Sequence, residues 1–105
     1  MSAAELLVEA AKLVATTRNT DHGPVRKNMG LVAKFWSAYL GIEVAPADVA
    51  LCLGLVKMAR ARTGAPLPDH FVDMAGYAAI AGELTLGEAA AAAAVDVAAP
   101  VVVAS

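Results

Sequence analysis

Leu6, Leu7, Ala10, Leu13 and Val14 recur at helical spacing, and Glu5, Glu9 and Lys12 fall away from that stripe. The spacing predicts an amphipathic helix over about 3–17. Ser2, with Glu5 three residues on, fits a capping box at its start. The apolar period lapses near residue 18, where Asn19, Asp21, Gly23 and Pro24 are turn residues. It resumes over about 25–39, with Met29, Val32, Ala33, Trp36 and Leu40 on one face and Gly41 placed to end the helix. After a short connector, Pro46 opens a third helix over about 46–62. Asp48 lies in its first turn, where a carboxylate favours the helix dipole.

This third helix organises the rest, because it is apolar on almost every side. Between Val49 and Ala59 its only charge is Lys57. Such a helix is surrounded by others, within the fold or across an oligomer interface. Ala50, Gly54, Lys57 and Ala61 form a line of mostly small residues that lets a neighbour come close. Gly64, Pro66 and Pro68 break the helix, and a fourth begins near Pro68 or Asp69. Gly76 and Gly82 inside that fourth helix each cost about 1 kcal/mol against Ala, so both imply a packing reason. Beyond Glu83 the Ala-rich sequence continues as a weak helix or tail. The expected fold is all-α: a compact bundle of four main helices over 1–84, then an Ala/Val-rich C-terminal helix or tail over 85–105.

The chain has 105 residues, enough for one domain that buries about two thirds of its unfolded surface. Hydrophobic residues make up 59% of it, a surplus that a subunit interface would absorb. A homo-oligomer is therefore expected. The net charge of −2 makes nucleic acid an unfavoured partner. Cys52, the single cysteine, reads as a small core residue. The N-terminus lacks a basic start and a long apolar run, and Asp96 and Pro100 interrupt the C-terminal tail. Neither a signal peptide nor a membrane span is expected, and the cytoplasm is the expected location.

Two antiparallel helices joined by a short loop place residues equally far from the loop centre, near Ala65, level with one another. By that count Lys57 is level with Asp73, and Arg60 with Asp69 and His70. Asp69, Asp73 and Tyr77 follow one another at successive turns. A structural reading makes this layer a salt-bridge network that fixes helix register. A functional reading has carboxylates holding Mg²⁺ while cations meet phosphate oxygens. The segment carrying Arg18, Asp21, His22, Arg26, Lys27 and Asn28 is either a polar connector capped by Asp21 or a phosphate-holding loop at a helix N-terminus. Trp36 is either a core residue or a stacking platform, and Glu5 with Glu9 either a solvated face or a metal pair.

The order of these residues also resembles a known family. Arg18, Asp21-His22-Gly23, Asn28, Trp36-Ser37-Ala38-Tyr39-Leu40, Asp48-Val49-Ala50, Lys57-Met58-Ala59-Arg60, Asp69 and Asp73-Met74-Ala75-Gly76-Tyr77-Ala78 are similar to the pattern of small phage- and prophage-encoded proteins of unknown function. That family looks like a distant relative of the all-α MazG-like nucleoside triphosphate pyrophosphohydrolases. The resemblance implies an oligomeric bundle in the host-cell cytoplasm with Mg²⁺ at Asp69 and Asp73. It places phosphate or nucleotide near Lys57, Arg60, Arg18, His22, Asn28 and Tyr77. The implied chemistry is metal-assisted attack of water on a phosphoanhydride. The chain departs from MazG enzymes in having no Glu-x-x-Glu, in spacing Asp69 and Asp73 four apart, and in carrying Lys57 and Arg60 where a carboxylate pair belongs. Three functions follow as expectations: nucleotide or phosphate binding with weak hydrolysis, a non-catalytic oligomeric module binding a host or phage protein, and nucleic-acid binding through the basic loop.

Overall fold

In the computed structural model the chain is a bundle of four α-helices, with no strand among the described residues. The structure describes residues 1–17 and 25–95, and side chains at 1–15 and 27–87. Helix α1 spans Ala3–Lys12 and widens into a π-helical turn over Leu13–Thr17. Helices α2 (Val25–Leu40), α3 (Pro46–Thr63) and α4 (Pro68–Val95) follow. The Ala-rich stretch beyond Glu83 thus continues α4 without a break. The expectations for residues 18–24 and 96–105 lie outside the described residues.

Local chemistry sets the helix ends. The Ser2 hydroxyl accepts from the Glu5 N–H at 3.1 Å, and the Ser2 N–H donates to the Glu5 carboxylate at 3.0 Å. This box satisfies donors that the first helical turn leaves free. Helix α2 stops at Gly41, which takes φ +71° while its N–H donates to the Ser37 carbonyl at 2.9 Å. The Ser37 hydroxyl accepts from the Val44 N–H at 2.9 Å, tying the connector back onto α2. Asp48 caps α3 by accepting from the Ala45 N–H at 3.0 Å, as its first-turn position implied.

The core lies where α2, α3 and α4 meet. Met29 and Ala33 from α2, Ala47, Val49 and Ala50 from α3, and Tyr77, Ile80, Ala81 and Leu84 from α4 are all buried. Trp36 packs against this cluster, in agreement with its core reading. Helices α3 and α4 share the most extensive contact, and α1 lies along α4. The small-residue line explains the first closeness: a methyl group added at Gly54 would sit 3.8 Å from the Tyr77 Cβ. Gly76 likewise receives Val14 of the π-helical turn, whose Cγ2 would lie 3.5 Å from an added Cβ. Gly82 meets nothing there among the described residues, so its expected packing role is not borne out.

Three burial expectations are corrected. Cys52 is exposed, on a side of α3 that it shares with the exposed Val56 and Ala59. Leu7 is 62% exposed and Leu40 56%, since the helices that would cover those edges lie elsewhere. Within one chain α3 is not surrounded: Leu51, Leu55, Val56 and Met58 are exposed along it, so of the two expected coverings only an oligomer interface is left for them.

A candidate site between helices α3 and α4

The hairpin count holds at its centre. The Lys57 ammonium meets the Asp73 carboxylate at 2.9 Å, with side chains 20% and 22% exposed. Each ion satisfies the other where water reaches neither fully. Between weakly solvated partners such a pair resists separation, since removing one leaves an uncompensated charge.

One turn nearer the loop the layer opens. Arg60 and Asp69 are both exposed, and neither makes an ion pair among the described residues. His70 is half-buried, with its Nε2 3.7 Å from where a Cβ on Gly64 would lie. Tyr77 is buried in the core beside Gly54. Asn28 is half-buried on α2. Arg18 and His22 lie outside the described residues. The structure therefore brings together Lys57 and Asp73 from the predicted set, while Arg60 and Asp69 turn to solvent.

Asp69 and Asp73 also line an open groove of about 570 Å³ with Glu9 and Lys12 of α1. Glu9 and Lys12 bond one another at 3.4 Å. On periodicity alone Glu9 and Lys12 read as a solvated face, because a stripe does not reveal that α1 lies along α4. Among the described residues no three His, Cys, Asp or Glu side chains converge as a metal site. Glu5, offered with Glu9 as a metal pair, is committed to the Ser2 cap. That hydrogen bond from the Ser2 backbone, helped by the hydroxyl, holds its carboxyl below the usual range.

The opposite side of the hairpin is apolar. Leu51, Leu55 and Met58 of α3 face Phe71, Met74 and Ala75 of α4 across a groove of about 470 Å³. Leu51, Leu55, Met58 and Phe71 are 54%, 60%, 54% and 47% exposed. No helix among the described residues is long and apolar enough to cross a membrane.

Residues 5–85 match the family model of a domain of unknown function, DUF6378. The chain is 34% identical over 84 residues to the Gene 55 protein of Mycobacterium phage L5, covering 79% of this chain and 54% of that protein. It is 40% identical over 73 residues to the Gene 55 protein of Mycobacterium phage D29, covering 70% of this chain and 48% of that protein. The chain thus spans about half the length of the curated relatives it matches. No solved structure matches it. The phage resemblance read from the residues is supported by these matches, and the chain belongs to the DUF6378 family.

Proposed function

We propose that this chain is a non-catalytic, self-associating helical module of a phage protein, acting in the host-cell cytoplasm through the apolar face of α3 and α4. The observation that carries this reading is the groove flanked by Leu51, Leu55, Met58 and Phe71, four large side chains left in water on one face. About half of each is still exposed, so association would gain on the order of 1 kcal/mol for each one it covers. The surplus of apolar composition points the same way, as does the satisfied Lys57–Asp73 pair, which supports a register-fixing role.

Light scattering of the wild type and of Leu55→Glu tests it. The wild type is expected at a multiple of the 10.6 kDa chain mass. Leu55→Glu is expected at the single-chain mass with unchanged helical circular dichroism. A wild type that stays a single chain at tens of micromolar overturns the reading, and stable association only with a phage or host protein would replace the occupant.

A second reading has its own support. Asp69 and Asp73 share one groove with Glu9 and Lys12, and Arg60 is a cation without an ion-pair partner among the described residues. In this reading the Lys57–Asp73 pair would open, Asp69 and Asp73 would hold Mg²⁺, Arg60 and Lys57 would meet phosphate oxygens, and the reaction would be MazG-like pyrophosphate release. Turnover or a melting shift with Mg²⁺ and a nucleotide panel supports it. Silence across the panel removes it.

A further inference from the structure

The exposed face of α3 carries a pattern that names its own partner. Asp48, Leu51, Leu55, Met58 and Arg62 are spaced three, four, three and four residues apart. That is the spacing of a helix–helix seam, and it keeps all five on one side of the helix. All five are exposed. The seam is apolar at its centre, acidic at one end and basic at the other.

Such a stripe is complementary to itself when reversed. We infer that two copies of this chain pair α3 against α3 in antiparallel fashion, about a two-fold axis at Leu55, with Asp48 of each opposite the partner's Arg62. This inference rests on the self-association reading above and fixes its geometry. A two-fold contact must use the same patch on both subunits, with residues equally far from the axis facing one another. About Leu55 that rule sets Leu51 against the partner's Ala59, and Met58 against the partner's Cys52. Away from the axis each large side chain therefore meets a small one, as interdigitated packing needs, while Leu55 meets its own copy. Cys52 and Ala59 are exposed on the same side of α3, so both are available for it.

Charge selects the direction. A parallel pair would set Asp48 beside Asp48 and Arg62 beside Arg62, repulsion at both ends. The antiparallel pair replaces these with two opposite-charge contacts and opposes the helix dipoles. Asp48 uses one oxygen, Oδ2, to cap its own helix, which leaves Oδ1 to accept from a guanidinium.

The size also fits. Helix α3 has 18 residues, so the strip is about 27 Å long and two helices wide once Phe71 and Ala75 of α4 are included. A strip of that extent is on the scale of the ~800 Å² that each partner gives to a standard interface.

The test uses the full chain. In a Cys52→Ser background with an added thiol oxidant to accept the two electrons, Leu55→Cys should form a disulfide-linked dimer rapidly, because the two new thiols meet on the axis. Arg62→Asp should weaken the dimer about tenfold by sedimentation, and Asp48→Arg/Arg62→Asp should return to within about threefold of wild type. Because Asp48→Arg also removes a helix cap, the cysteine variant stands as an independent check. A dimer that Leu55→Glu dissolves, yet with no cross-link in the Leu55→Cys variant and no charge-swap recovery, overturns the antiparallel seam and leaves self-association standing. A wild type that is a single chain overturns both.

Discussion

The Lys57–Asp73 contact at 2.9 Å is the clearest case of a residue pair read from spacing and then found. It was legible because both residues are eight from Ala65, and a tight hairpin preserves that count. Arg60 is five residues from Ala65 and Asp69 four, close to level, and still they form no ion pair. Level is a distance along the axis, while contact also needs rotation about it, and Arg60 is turned away from the Lys57–Ala61 line that faces α4. For the pair that does meet, Asp73→Ala should cost about 1–2 kcal/mol in urea denaturation, less than a fully buried pair because water still reaches both ions. Replacing both by apolar residues, as in Lys57→Met/Asp73→Leu, should recover most of it. Glu5 makes a pH-dependent prediction. Its folded pKa lies below its unfolded value, so its contribution is present above the ordinary carboxylate pKa and is lost as pH falls through the lowered one. Acid titration followed by amide NMR should therefore fray the start of α1; Ser2→Ala, which keeps the backbone donor, should only reduce that dependence, and Glu5→Gln should remove it.

Helix boundaries follow from a handful of residues. Pro46, Pro68 and Gly41 mark them within a residue or so, because a missing N–H or a positive φ acts locally and needs no knowledge of neighbours. What faces each helix was less legible. Leu7, Leu40 and Cys52 fit an apolar stripe but are exposed, since a stripe shows where a helix could pack and not whether another arrives. Gly54 shows the reverse case, in which a small residue correctly announced close approach. Gly54→Ala should be neutral or stabilise by up to about 1 kcal/mol, as the new methyl meets Tyr77 at ordinary distance and Ala favours helix. Gly54→Leu should separate α3 from α4 and lower the melting temperature markedly. Gly64 is different. It ends α3 at φ −94°, a value open to any residue, yet an added Cβ would lie 2.9 Å from the Arg60 carbonyl oxygen. Gly64→Ala should therefore destabilise the hairpin by about 1 kcal/mol in thermal denaturation.

The two sides of the α3–α4 hairpin divide the functional readings. One side carries a satisfied ion pair and an open polar groove, the other a row of apolar side chains in water. The surplus of hydrophobic residues was visible in composition, but the row formed by Leu51, Leu55, Met58 and Phe71 required the fold. If copies cover that face, the folded state is linked to association, and the melting temperature should rise with protein concentration. Sedimentation equilibrium over about a hundredfold concentration range decides between a covered and a bare face. A reversible dimer is expected, twice the 10.6 kDa chain mass, that Leu55→Glu abolishes without loss of helix. A single-chain mass at every concentration, identical for wild type and Leu55→Glu, would refute self-association through α3 and α4.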